Sequence, residues 1–111
     1  MRGEIWTFGA NGDDEVPLLV VQADALTAGA PTIVGVVVST RPQPAGAPLA
    51  IPLDLGAAGP AFAKVTQVHT RPARDARRRV ASVGRPAMRA VDEALAVVLG
   101  LGRLSDAGSS T

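Results

Sequence analysis

The chain has 111 residues, 47% of them hydrophobic and only 3% aromatic, with no cysteine, one histidine and a formal net charge of +1. That length predicts one domain with one modest core, built from small aliphatic side chains plus Trp6, Phe8 and Phe62. The absence of cysteine excludes a disulfide framework, a thiolate metal site and cysteine catalysis, and a single histidine argues against a histidine-rich zinc site.

Glu4 to Phe8 alternates and ends at Gly9-Ala10-Asn11-Gly12, which predicts a first strand and a turn. Leu18 to Gln22, bounded by Pro17, predicts a second strand. Thr32 to Ser39 has the strongest strand signal, with five β-branched residues among the six from Ile33 to Val38. Gly35 interrupts it and is read as a bulge marker. Arg41 to Pro48, with three prolines and a glycine, is loop; Leu49 to Leu53 is a short strand; Gly56 to Pro60 is a turn. Ala63 to Thr70 is a further strand, Arg74 to Arg79 an exposed basic loop, and Arg79 to Ser82 a last short strand.

The period then changes. Met88, Val91, Leu95 and Val98 recur at spacings of three, four and three, which is one face of a helix. Pro86 suits its first turn and Gly100 its stop. The tail from 102 to 111, Ser/Gly-rich over most of its length, is expected to be disordered, leaving residues 1–101 as the domain. Many short strands followed by one late helix predict a mainly β fold, a small and strongly bent antiparallel sheet or barrel with a C-terminal helix packed on it. Its open strand edges predict a dimer. Met1-Arg2-Gly3-Glu4 lacks the apolar stretch of a signal peptide and no run approaches a membrane span, so a soluble, cytoplasmic protein with no membrane partner is expected.

Charge is unevenly placed. Residues 1–60 hold Arg2 and Arg41 against Glu4, Asp13, Asp14, Glu15, Asp24 and Asp54. Residues 61–111 hold Lys64 and eight arginines against four carboxylates. A basic second half suits phosphates or an acidic partner, and equally a solvated arginine-rich face.

No glycine-rich phosphate loop or cofactor motif is present, so no cofactor is expected. Ser39, His69 and an aspartate form a hydrolytic triad only on paper. RNA cleavage without a metal makes smaller demands. The RNA supplies its 2′-OH as nucleophile, and the protein supplies a proton acceptor, a proton donor and a cation. Ser39, Thr40, Arg41, Lys64 and His69 are the residues of suitable chemistry; as polar strand ends they are also ordinary turn residues.

"MRGEIW" at Met1, "PLLVVQADALT" from Pro17 to Thr27, "TQVHT" from Thr66 to Thr70 and "GRPAMRAVDEALAVVLGL" from Gly84 to Leu101 together resemble the MazF/PemK (Kid) family of bacterial toxin–antitoxin toxins. The resemblance implies an SH3-like barrel, a homodimer, a cognate antitoxin, and metal-independent endoribonuclease activity on single-stranded RNA through a 2′,3′-cyclic phosphate. It implies catalytic roles for Ser39 or Thr40, with Lys64 as a cation, and RNA contacts from Gln67; Arg41, next in the chain, is read as a substitute for the family's lost arginine or as an exposed loop residue. Arg77, Arg78 and Arg79 are assigned by charge to RNA or antitoxin. The chain departs from the family where chemistry should sit. Val16 stands in place of an arginine, Thr66 in place of an aspartate, and Asp13-Asp14-Glu15 in a loop where carboxylates would repel phosphate. Lysine at position 64 also lacks the bidentate fork of arginine. These losses keep a second reading open: a non-cleaving protein on the same fold, either a gyrase inhibitor of the CcdB kind or a degenerate antitoxin-binding homologue. Strand alternation sets His69 opposite to Lys64 and Thr66, which reads His69 as structural or surface rather than catalytic.

Overall fold

A computed structural model describes residues 1–10, 15–43 and 49–101. The strands are β1 Glu4–Phe8, β2 Val16–Val20, β3 Thr32–Ser39, β4 Ala50–Asp54, β5 Pro60–Pro72 and β6 Ala76–Ser82. A one-turn helix, α1 Asp24–Thr27, follows β2, and α2 spans Arg85–Val98. Short 3₁₀ turns, Gly56–Ala58 and Ala73–Asp75, lead into β5 and β6. All pairings are antiparallel, in one sheet of order β4-β5-β3-β2-β1-β6. The expected mainly β architecture with a C-terminal helix is present. The sheet does not close into a barrel; β4 and β6 remain its two edges.

Alternation gives the sheet two apolar faces. On the first, Ile5, Leu19, Val36, Val38, Leu53, Ala63 and Val65 are buried together with Met88, Val91 and Ala94 of α2. Each large aliphatic side chain so buried contributes about 1.5–3 kcal/mol. On the second, Phe8, Leu18, Val20 and Ile33 are buried, with Trp6, Val16, Val37, Ala73 and Ala76 packed around them. The 3₁₀ turn before β6 covers this cluster, anchored by Ala73 N donating to Pro31 O at 2.9 Å and Gly9 N donating to Asp75 O at 3.0 Å.

Helix α2 starts with Pro86 in its first turn and stops before Gly100 at φ +75°, a conformation glycine adopts freely. Its covered face runs Met88, Val91, Ala94 and Leu95. Val98, expected on that face, is exposed, as are Val97 and Leu99. Arg2 ties the other end of the chain to this helix by donating to Asp92 Oδ2 and to Val21 O.

Four expectations change. The second strand ends at Val20 because the Gln22 side chain takes over the pairing, its Oε1 accepting from Val34 N at 3.2 Å. The Ala76 to Arg79 segment is strand, not loop, since it pairs with β1 from Phe8 to Trp6. Gly35 marks no bulge in β3. It marks a close approach, since a Cβ there would lie 2.9 Å from Leu19 O and 3.0 Å from Leu18 Cβ. The irregularity lies across from β3, in β5: Val36 pairs with Val68, yet the next residue, Val37, pairs with Lys64. Residues 65–67 have no partner on β3, although Val65 stays buried and its N donates to Leu49 O at 3.0 Å, and the alternation of β5 flips there. His69 pairs with Gly35, so it shares the face of Val37 and Lys64 rather than opposing it. The expected disordered tail and most of the proline-rich loop fall outside the described residues.

Candidate functional site

The polar residues of β3 and β5 gather on the second face, beside its apolar cluster. Val37, a member of that cluster's rim, faces Lys64; two residues along β3, Ser39 faces Phe62. Ser39 and Lys64 are therefore same-face neighbours, separated along the strand by about 7 Å. Lys64 is also paired with Ala50 on β4, so its backbone is held between two strands while its side chain is half-buried. Ser39 ends β3. Its Oγ accepts from Arg41 N at 3.1 Å, which turns the chain and leaves Thr40 and Arg41 exposed at the rim.

Beyond residues 65–67 of β5 the same face continues. His69 lies across from Gly35 and Arg71 from Ile33, at two-residue steps from Lys64 as measured on β3. Both are half-buried. The row Arg71, His69, Lys64, Ser39 thus follows one line on the sheet. Arg71 and His69 were not grouped with Lys64 from sequence because plain alternation separates them. The available signal was the spacing of apolar residues, Ala63, Val65 and then Val68, where a step of three replaces a step of two. Thr66 and Gln67 lie in the segment without a partner on β3 and are exposed.

Arg77, Arg78 and Arg79 are elsewhere. They lie on β6, at the far edge of the sheet, with β1, β2 and β3 between them and β5. Arg77 Nε donates to Gly9 O at 2.7 Å. Arg79 donates to Glu4 Oε2 at 3.0 Å, and Trp6 Nε1 donates to Glu4 Oε1 at 3.0 Å. The Trp6 indole first, and then Arg79, hold the Glu4 carboxyl below its ordinary pKa. Val16 faces Phe8 and packs, half-buried, against the second apolar cluster, so the position where the resemblance implies an arginine belongs to that cluster's rim. Glu15 is exposed; Asp13 and Asp14 lie outside the described residues.

Ser39, Lys64, His69 and Arg71 present hydroxyl, ammonium, imidazole and guanidinium groups without a carboxylate in the row. Such a row suits an anion. No helix among the described residues is long and apolar enough to cross a membrane.

Three comparisons bear on this arrangement. The family model for PemK-like, MazF-like toxins of type II toxin–antitoxin systems matches residues 1–99. No curated protein matches the chain. Among solved structures, the chain is similar to an endoribonuclease in complex with its cognate antitoxin from a mycobacterial species (20% identity, 91% of this chain and 95% of that one, TM-score 0.76). It is similar to the Mycobacterium tuberculosis toxin MazF-mt6 (18% identity, 88% and 97%, TM-score 0.74). It is also similar to a MazE–MazF structure from Deinococcus radiodurans (18% identity, 90% and 94%, TM-score 0.76). At these identities the solved structures share the fold; the family match, covering nearly the whole chain, shows more: this chain belongs to the PemK-like, MazF-like toxins of type II toxin–antitoxin systems.

Proposed function

We propose that this toxin is a metal-independent endoribonuclease that cleaves single-stranded RNA through a 2′,3′-cyclic phosphate. The observation that carries the reading is the same-face placement of Ser39 and Lys64 next to further cationic side chains, with no carboxylate in the row. Cleavage needs charge stabilisation on a pentavalent phosphorane and proton traffic at two oxygens. The Lys64 ammonium supplies the positive charge at the non-bridging oxygens. The Ser39 hydroxyl, or that of Thr40 at the rim, donates to the same phosphate, and Arg41 gathers the flanking nucleotide. Gln67 and the β6 arginines Arg77, Arg78 and Arg79 serve as outer contacts for RNA or antitoxin. The working unit is residues 1–101, acting in the cytoplasm as a homodimer with a cognate antitoxin that blocks the RNA-binding face. Similar structures solved with antitoxin support that partner.

Val16 favours a second reading. An apolar side chain packed on Phe8 cannot clamp phosphate, and a chain without that cation could hold RNA or antitoxin and cut nothing. The two readings separate in one assay. A long, mostly unpaired RNA is incubated with the protein, with and without EDTA, and the new 3′ ends are analysed. Discrete cuts that survive EDTA and end in 2′,3′-cyclic phosphate establish the ribonuclease. Intact RNA across varied substrates establishes the non-cleaving reading, and inhibition of DNA gyrase is then the next activity to measure.

A further inference from the structure

We propose that His69 is the proton acceptor for the attacking 2′-OH. The proposal rests on the ribonuclease reading and deepens it. Its basis is the register of β5. Five positions separate Lys64 from His69, and an unbroken strand would send them to opposite faces. The pairings Val37 with Lys64 and Gly35 with His69 place them on one face, because residues 65–67 have no partner on β3. Measured along β3, which is regular in its own pairing with β2, the two stations are two residues, about 7 Å, apart. That gap is one a long lysine side chain and an imidazole can close onto a single phosphodiester and its ribose.

Two further features point the same way. Opposite His69 stands Gly35, which sets no side chain of its own beside the imidazole on that face. Among the described residues His69 is the only imidazole in the row, and imidazole is the side chain most often used to move protons in catalysis. Thr66, exposed in the segment without a partner on β3, offers only a hydroxyl. The step balances as follows. The imidazole takes the proton of the 2′-OH as the 2′-oxygen bonds to phosphorus. The phosphorus–5′-oxygen bond breaks and the leaving 5′-oxygen takes a proton from solvent, while the Lys64 ammonium stays charged beside the non-bridging oxygens. Solvent then removes the proton from His69.

The test uses the full-length protein, the RNA it cuts, and the same oligonucleotide with 2′-deoxyribose at the cut site, which binds but cannot react. His69→Ala is expected to lower kcat by about 10²–10⁴-fold, to leave affinity for the deoxy oligonucleotide within about threefold, and to regain cleavage when free imidazole is added. Thr66→Ala is expected to change kcat by less than about threefold, since Thr66 has no part in proton transfer. His69→Gln keeps a polar side chain of similar reach and reports on mere packing; cleavage at the wild-type rate by His69→Gln overturns the proposal. So does a His69→Ala protein that cuts within about threefold of wild type while Lys64→Ala does not cut; the ribonuclease reading then stands without His69. A wild-type protein that cuts no RNA removes both.

Discussion

The two faces of the sheet are built from the same strands and have opposite characters. On the face covered by α2, alternate residues of β1, β2, β3 and β5 are aliphatic and buried, and the helix shields them from water. On the other face, the apolar cluster around Phe8 and Ile33 gives way along β3 and β5 to half-buried Arg71, His69, Lys64 and Ser39. Both faces bury an apolar cluster, but only the second carries the polar row in which the proposed cleavage site lies, and the three residues of β5 without a partner on β3 set which polar side chain joins which face. The difference teaches that a strand's chemistry is read from its partner's register, and only secondarily from its own alternation.

The sharpest way to break the comparison is to cross the two faces with one substitution each. Lys64→Ala, on the open face, is expected to cost about 10²–10³-fold in cleavage, the range for removing one electrostatic contact to a reacting oxyanion, while changing stability by less than about 1 kcal/mol. Leu19→Ala, on the covered face, is expected to do the reverse. Leu19 is fully buried among Ile5, Val36 and the helix residues, and its truncation should cost about 2–5 kcal/mol with kcat per folded molecule retained. Urea titration and single-turnover cleavage on both variants check the pair. Equal loss of both properties in either variant would mean that the faces are not separable.

Gly35→Ala sits between the faces and is expected to have an intermediate effect. Its new Cβ would meet Leu19 O and Leu18 Cβ, and the backbone oxygen cannot move aside as a side-chain tip could. A loss of about 1–3 kcal/mol is expected, as for other overpacked sites. Because Gly35 also pairs with His69, a loss of cleavage larger than the loss of folded protein would show that β3–β5 register sets the site. A variant as stable as wild type would remove close approach as the reason for this glycine.

Much of this was legible in the sequence. The runs Glu4 to Phe8 and Thr32 to Ser39 are strands with the expected bounds, because alternation and β-branching act locally. The helix was legible from Met88, Val91 and Leu95 for the same reason. What escaped was non-local. The end of β2 depends on a hydrogen bond from Val34 to the Gln22 side chain, twelve residues away. The place of Arg79 depends on Glu4 across the sheet. The grouping of Lys64 with His69 depends on three residues without a partner on β3, of which the local trace is the three-residue step from Val65 to Val68. Openness of the sheet is of the same kind, since closing it needs a pairing between β4 and β6 that neither strand's own pattern specifies.

The smallest expected effect concerns the edge where the second face ends. Glu4 accepts from Trp6 and from Arg79, and its folded pKa is depressed by both. A depressed folded pKa means that the unfolded chain takes up a proton first as pH falls. The contribution of Glu4 is therefore complete above the ordinary glutamate value of about 4.3 and fades as pH drops through the lower folded value. Glu4→Gln keeps one hydrogen-bond acceptor for Trp6 and gives up the charge that holds Arg79. The variant is expected to melt slightly lower than wild type at pH 7, and the difference should shrink on the acid side, where the wild-type carboxyl is neutral too. Asp24, whose carboxyl is lowered by accepting from Arg2 N at 2.9 Å, remains in both proteins and cancels from the comparison. Thermal melts at several pH values between about 3 and 7 read this directly. A difference that is constant across that range would mean that the Glu4 charge does not stabilise the β1–β6 edge. In that case Arg79 is a solvent-facing cation held only by its strand, available to RNA or antitoxin on the same terms as Arg78.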